Sequence, residues 1–433
     1  MQPLQFFCAS ILLENKGLSE KIMNGKNIAI IGGGAAGFMA AIVAVENALE
    51  KIYIDIFEKD SPLKTILCTG NGRCNLSNEI YDYKELASNY PRGEKFLYSA
   101  FSRFGVKETI EWFNKHGVKT YTQPDKRIFP ETDKASTVRN MFLEKAKKHS
   151  ISVLSNTGVK KVSKKDDKFV VYAESFAKEY DKVIIATGGT SKNIQGSGYK
   201  LAESLGHGIN ELKPSLSALR MQENFVESIA GVSVQNAEIS AVFNRKVVTK
   251  FNGDFVFTHK GVSGPVIFKT SAYCCYLDYS QQNPLILKLN FVPDKDKSAL
   301  EKELLEEFNS NPHKELDNLL KKYLPKSLII ALLKESQLES SKKASQITKE
   351  DRKKIILLLT ETVLTVISPE PEGEIVTAGG ISRDEINPKT MESKLVSGLY
   401  FCGEVMDIDG LTGGFNLQAC WSTGYIAGVA VSQ

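Results

Sequence analysis

No stretch of this 433-residue sequence stays apolar for the roughly 18 residues that a transmembrane helix needs. No membrane partner is therefore expected. Internal repeats and low-complexity tracts are also missing, which excludes a solenoid and a long disordered chain. The seven cysteines are odd in number and scattered, which fits no disulfide framework and points to a reducing, cytoplasmic setting. Neither a paired C-x-x-C nor an H-E-x-x-H occurs, so no metal site is expected. Excess charge of one sign is scarce: 55 Lys and Arg face 51 Asp and Glu, a net charge of +4. That balance permits an acidic substrate or a nucleic acid and demands neither. The two tryptophans, Trp112 and Trp421, read as core residues. The apolar patch Leu4 to Leu13 lacks a basic flank, so a signal peptide is not expected. Residues 1–22, ahead of Met23, read as an extension or an upstream start outside the fold.

What is present is concentrated first in Asn27-Ile-Ala-Ile-Ile-Gly-Gly-Gly-Ala-Ala-Gly37. A short apolar strand runs into a G-x-G-x-x-G spacing at Gly32, Gly34 and Gly37, and an Ala-rich helix follows from Phe38 to Leu49. The three glycines do different things. Gly32 allows the tight turn, Gly34 lets a pyrophosphate approach the backbone, and Gly37 lets helix and strand pack closely. The helix N-terminus offers unpaired N–H groups and a partial positive charge. A second strand, Ile52 to Phe57, leads to Glu58, placed about 20 residues beyond the glycines where a ribose-binding acid is expected. The order strand, glycines, helix, strand, acid marks a dinucleotide site, and the acid suits an unphosphorylated ribose, as in FAD or NAD. No second strand–glycine–helix unit follows, so a reduced nicotinamide nucleotide, NAD(P)H, could only visit transiently.

The length implies two or three domains. After Glu58, Lys64 to Asn78 is a Gly- and Asn-rich loop placed to run along a bound cofactor. The stretch from Tyr81 to Gly117 reads as helical, best patterned at Glu94–Phe104 and Lys107–His116. Lys126 to Pro130 reads as an extended turn. Lys134 to His149 reads as an amphipathic helix capped near Thr132 or Asp133. A small meander is expected from Ser152–Ser155, Gly158–Ser163 and Phe169–Ala173, returning to a buried parallel strand at Asp181–Thr187. From Pro214 short strands and turns run to Asp254. Residues 294 to 358 are rich in Lys, Glu and Leu and read as a small helical bundle with solvated charged faces. Strand character resumes at Glu374–Ile381 and Gly398–Glu404, and a closing helix begins near Asn416.

Several motifs in fixed order then carry a family resemblance. They are Gly70-Asn-Gly-Arg-Cys-Asn75, Arg127-Ile-Phe-Pro130, Thr258-His-Lys-Gly-Val-Ser-Gly-Pro265 and Thr377-Ala-Gly-Gly-Ile381. The longest starts at Thr390-Met-Glu-Ser393 and continues through Gly398–Asp407 to Thr412-Gly-Gly-Phe-Asn-Leu-Gln418. From Lys26 to Gly428 the sequence resembles the BaiN/RdsA-like family of FAD-dependent flavoproteins. The resemblance implies an α/β fold: a Rossmann-like, glutathione-reductase-like FAD-binding domain, residues 23–213 and 374–433, interrupted by an insert at 214–373. Within the insert, 214–293 is the β part, 294–358 the helical part and 359–373 the return.

Carried over residue by residue, the resemblance implies FAD contacts at Gly32, Gly34, Ala35, Ala36 and Gly37, then at Glu58, Lys59 and Lys64. Further contacts are implied at Gly72, Arg73, Cys74 and Asn75, at Val159, and at Ala186, Thr187 and Gly188. The last set is Gly403, Glu404, Gly413, Gly414, Asn416 and Leu417. On chemistry alone, Glu404 at a strand end can accept ribityl hydroxyls, and the helix after Gly414 turns its positive end toward a reduced flavin.

Two candidates for proton transfer emerge, Cys74 and His259, each with a plainer alternative. Cys74 is either a polar contact near the flavin or a small packed residue, and a redox pair with Cys68 would lack C-x-x-C spacing. His259, among polar loop residues with Ser263, is either an acid–base group or a hydrogen-bonding loop histidine. Arg73 and Arg127 could hold an anionic group or serve in structural ion pairs. The activity implied is an FAD-dependent oxidoreductase passing hydride through flavin N5, reducing an activated C=C bond of a small-molecule substrate. Members of the resembled family have also been linked to dihydrouridine formation in ribosomal RNA and to amine oxidation with O2. A non-catalytic flavin-binding interaction module is the alternative from another class.

Overall fold

The computed structural model describes residues 25–190, 197–370 and 375–433. The extension expected at 1–22, residues 371–373 of the return and residue 374 lie outside the described residues. Five short strands form one parallel sheet in the spatial order Leu399–Phe401, Lys182–Ile185, Lys26–Ile31, Ile52–Phe57, Ser152–Leu154. The apolar runs Ile28–Ile31, Val183–Ile185 and Leu399–Phe401 are buried, as a covered parallel sheet requires. The opening helix Ala35–Asn47 packs on the closing helix Phe415–Ser432. Gly424 and Gly428 make that approach possible, because a Cβ at either would lie 2.6 Å from the carbonyl oxygen of Ala36 or Ala40.

Several local expectations need correction. Ser152–Leu154 is not part of a meander but the edge strand of the parallel sheet, paired with Asp55–Phe57. The antiparallel unit is Val159–Lys165, Lys168–Ala173 and Ala177–Tyr180. The last of these, Ala-Lys-Glu-Tyr, shows too little apolar alternation to be read as a strand. Arg127–Pro130 is a strand, paired with Ser77–Asn78 and Thr120–Thr122, and not a turn. Helix Ala135–Lys148 starts from Lys134 with no side-chain cap. Asp133 is turned away by a left-handed backbone, φ 51°, and accepts from the Tyr121 hydroxyl, while Thr132 bonds Thr137.

The insert contains a closed six-stranded barrel. Its strands follow the order Leu219–Met221, Gly261–Ser263, Lys246–Thr258, Ser233–Phe243, Leu285–Asn290, Thr362–Pro369. Leu219–Met221 is short as expected, but Ser233–Phe243 and Lys246–Thr258 are not: they make a long hairpin. Its turn is Asn244-Arg245, both with positive φ, the geometry of a type I′ turn. The helices between residues 297 and 360 bury Leu300, Leu304, Leu328, Ile355 and Leu359 in the same hydrophobic cluster as the barrel residues Leu285 and Leu287. Two antiparallel strands, Ile209–Ser215 and Val376–Ile381, form the ribbon between this unit and the parallel sheet. Helix Pro265–Cys274 lies between the two cores, with Val266 and Ile267 in the barrel cluster and Ala272 in the other.

The Thr390–Ser393 motif plays a structural part. Ser393 Oγ lies 2.9 Å from His207 Nε2 and accepts from the amides of Leu395 and Val396, while His207 Nδ1 lies 3.1 Å from Glu385. With both lone pairs of the hydroxyl engaged, the Ser–His–Glu order is a staple of the chain before strand Leu399–Phe401. Burial pushes the His207 imidazole below its usual range, against the pull of Glu385. The unfolded chain therefore takes up this proton first. Stability contributed here is full above about pH 6.5 and falls as the pH drops below it. Urea midpoints measured between pH 7.5 and 5.5 should decline less in His207→Asn than in the wild type; parallel declines would remove His207 from that dependence.

Candidate flavin site

The glycine turn is built as its spacing implies, with the three glycines in different roles. Gly32 adopts φ +112°, and a Cβ there would sit 2.3 Å from the Ala186 carbonyl oxygen. Gly32 thus serves both the turn and the approach of the neighbouring strand. At Gly37 a Cβ would lie 2.1 Å from the Gly32 carbonyl oxygen. At Gly34, the N-cap of the opening helix, a Cβ would meet nothing within 4 Å, and no side chain caps the helix. The first intrahelical bond runs from Phe38 N to Gly34 O, so the first-turn amides at Ala35, Ala36 and Gly37 precede the helical ladder. Open space, helix amides and the positive end of the dipole coincide at one point.

Glu58 stands beside this turn. Its Oε2 accepts from Gly33 N at 2.8 Å and its Oε1 from Asp60 N at 2.9 Å. Lys59 is exposed, and its Cβ lies 3.7 Å from where a Cβ on Gly158 would be, next to the buried Val159. Lys64 is exposed and turned to Asp60 at 2.5 Å. At the end of the central strand, Ala186 N bonds Ile31 O at 2.8 Å. Thr187 Oγ1 is buried with no hydrogen-bond partner among the described residues, and Gly188, φ +71°, faces open space.

The loop after Glu58 is held by left-handed backbone at Gly70, Asn71, Gly72 and Cys74. Arg73 lies over the Phe129 ring at 4.3 Å, donates to Gly70 O at 3.3 Å and stands 3.9 Å from Asp133. Arg127 covers the same ring at 5.5 Å and pairs with Asp125 at 2.6 Å. Oriented to satisfy both partners, the Asn75 amide donates to Ser77 O and accepts from Gly414 N, each at 3.0 Å. Cys74 is fully buried, and that burial pushes its thiol up to about 12 despite a hydrogen bond with Thr69. Cys68 is exposed, and both thiols are free.

The last segments close the arrangement. Gly403, φ +77°, donates to Thr423 Oγ1 at 3.0 Å, and a Cβ there would touch Ala36 Cβ at 2.9 Å. Glu404 accepts from Thr377 N at 2.9 Å. Gly413 and Gly414 are left-handed, and Gly414 caps the closing helix, where a Cβ would lie 2.4 Å from Ser77 O. Asn416 spends its side chain on the backbone of Gly410, with both bonds at 2.8 Å, and Leu417 is half-buried. Underneath, the buried Gln418 joins Ser77, Thr109 and Ser422, while Trp421 donates to Leu76 O at 3.0 Å. Trp112 is buried too. His259 is exposed in the two-residue turn between barrel strands Lys246–Thr258 and Gly261–Ser263.

Residues that sequence reasoning passes over are Arg92, Asp409 and Ser215. Their buried cluster links positions 317 and 123 residues apart, so no local pattern could announce it.

The donor set fits FAD. An uncapped helix N-terminus opens at Gly34, a carboxylate stands next to it, a hydroxyl with no partner among the described residues lies at Thr187, and a second helix begins at Gly414. Among the described residues no cluster of His, Cys, Asp and Glu suits a metal, and no helix is long and apolar enough to cross a membrane.

Comparison with known proteins identifies the family. Residues 26–430 match the family described as HI0933-like protein Rossmann domain. A 3-dehydro-bile acid delta(4,6)-reductase of Clostridium scindens is 32% identical over 412 residues, 94% of this chain and 99% of the relative. A ribosomal RNA dihydrouridine synthase of Escherichia coli is 31% identical over 403 residues, 92% and 95% of the two chains. The synthase of the same name from Haemophilus influenzae is 28% identical over 416 residues, 93% and 98% of the two. Among solved structures, a 3-ketosteroid delta1-dehydrogenase from Sterolibacterium denitrificans shares the fold, with a TM-score of 0.50 at 11% identity over 94% of this chain and 99% of that one. The chain belongs to the HI0933-like family and is an FAD-dependent oxidoreductase built on a Rossmann-like FAD-binding fold.

Proposed function

We propose that this enzyme saturates a carbon–carbon double bond conjugated to a carbonyl, with NADH or NADPH visiting as transient electron donor in a reducing, cytoplasmic setting. The observation that carries the reading is that Gly34, Glu58, Thr187 and Gly403 all follow the carboxyl ends of neighbouring strands of the parallel sheet. Ligands of open α/β sheets bind outside the carboxyl ends of the strands. The names of the relatives point the same way: a bile acid delta(4,6)-reductase and a dihydrouridine synthase both remove a double bond. In uracil, as in an enone, that bond is conjugated to a carbonyl.

FAD, when bound, supplies hydride transfer through its N5. The chain's part is placement. Gly34 and the opening helix would hold the diphosphate, and Glu58 the adenosine ribose. Glu404, held by Thr377 N, would accept ribityl hydroxyls, and the first amides of the closing helix would favour negative charge on the reduced ring. Cys74 is better read as a packing residue, since a thiol at about 12 inside the core is a weak proton donor.

The ribosomal RNA reading rests on the two synthases, and the bile acid reductase favours a small molecule. Anaerobic protein reduced with NADH or NADPH should be reoxidised on mixing with a 3-keto-4-ene steroid or with ribosomal RNA lacking dihydrouridine. Flavin absorbance near 450 nm reports either event. A reduced flavin that neither acceptor reoxidises would end the proposal.

A further inference from the structure

The most heavily bonded side chain at the junction of the two cores is Arg92, in the turn between helices Tyr83–Ala87 and Glu94–Phe101. Its Nε and one terminal nitrogen grip both carboxylate oxygens of the fully buried Asp409. The other terminal nitrogen donates to Ala272 O at 2.9 Å, and a further bond reaches Ser215 Oγ at 3.3 Å. Ser215 in turn donates to Asp409 at 2.6 Å, and the half-exposed Tyr276 ring stands 5.6 Å from the guanidinium.

Each partner belongs to a different part of the molecule. Asp409 lies on the segment between Glu404 and Gly413, and that segment is laced to residues 89–92 by the bonds Asp409 N to Arg92 O and Leu411 N to Asn89 O. Ser215 ends the first ribbon strand on its way into the barrel. Ala272 is in the last turn of helix Pro265–Cys274, the helix shared by the two cores. A carbonyl there sits at the negative end of the helix dipole, which favours a cation. Only a planar fork with several fixed N–H groups can serve all these acceptors at once.

We propose that Arg92 is the positioning residue that fixes the barrel over the flavin-binding segment and so sets the substrate pocket between them. The proposal rests on the FAD-dependent reduction proposed above, and adds to it that substrate binds between flavin and insert. The ribbon is a covalent tether, and helix Pro265–Cys274 adds apolar contacts with both cores and a bond from Ser217 N to Ser271 Oγ. The guanidinium is the fastening that ties the barrel helix and the ribbon end to the strip carrying Glu404 and Gly413. Arg92 and Asp409 are not themselves assigned to FAD, and Gly34 and Glu58 are outside this cluster, so the diphosphate and ribose positions do not depend on it.

The test compares wild type with R92K and with R92M/D409N, the latter leaving no lone buried charge. FAD content and the rate of reduction by dithionite should match wild type in both variants. Amide hydrogen exchange at residues 215–217 and in the last turn of helix Pro265–Cys274 should accelerate by about tenfold or more in R92M/D409N and less in R92K. KM for a conjugated enone should rise on the order of tenfold while kcat changes by less than about threefold. Unchanged exchange, loss of FAD in step with the exchange, or accelerated exchange with unchanged KM would each overturn the proposal. An enone that wild type does not turn over counts against the assigned reaction alone. Exchange and FAD content then decide for or against Arg92 without it.

Discussion

Gly34→Glu should give a folded, colourless protein. The backbone at Gly34, φ −91° and ψ −168°, is open to any residue, and a Cβ there meets no atom within 4 Å. Folding therefore has no reason to suffer. The new carboxylate would lie on the first-turn amides of the opening helix, where the diphosphate of FAD is expected. Repulsion between such groups about 5 Å apart, at an effective dielectric near 20, is worth roughly 3 kcal/mol per charge pair. FAD affinity should fall on the order of 100-fold or more. Far-ultraviolet circular dichroism and the urea midpoint of the apoprotein should stay at wild-type values. Gly37 is the control: its Cβ would press on the Gly32 carbonyl at 2.1 Å, so Gly37→Val should fail in folding and not only in binding. A yellow Gly34→Glu protein with full FAD content would refute the placement of the diphosphate.

Asp409→Ala should have the largest effect on stability among single changes at the junction. The carboxylate is fully buried, and its removal leaves the Arg92 guanidinium with a backbone carbonyl and a hydroxyl but no counter-charge. Stranding one member of a buried ion pair costs about 3–5 kcal/mol. The urea midpoint should drop accordingly, and adding Arg92→Met should recover part of the loss, since the paired removal leaves no naked charge. Equal midpoints for Asp409→Ala and wild type would mean that solvent reaches the pair.

Features written in contiguous residues were legible in the sequence. The glycine turn and Glu58 depend on a strand, a helix and a strand within about 30 positions, and each glycine has the surroundings that its spacing assigns. Helix Ala135–Lys148 follows from its amphipathic pattern, and the closing helix from a run of Ala, Gly and Ser suited to close packing. Features made by distant pairing were hidden. The barrel closes only when Thr362–Pro369 pairs with Leu285–Leu289 and Leu219–Met221, and nothing within that strand announces its neighbours. Asn244-Arg245 lacks the glycine that usually signals a type I′ turn, so no local residue marks the long hairpin. Ser152–Leu154 is too short for alternation to tell a sheet edge from a meander. Cysteine at position 74 could be read as a reactive group by type, but its burial is set by chain far from it.

The order of segments also dictates when this molecule can become functional during its own synthesis. The opening helix emerges from the ribosome early, yet its packing partner and the strand beside Lys182–Ile185 are made only after the whole barrel. The barrel, assembled from one contiguous stretch, has every partner at hand well before that moment. Translation thus delivers the upper storey first and the foundation last, and a nascent chain has no complete seat for FAD until Gly414 and its helix are released.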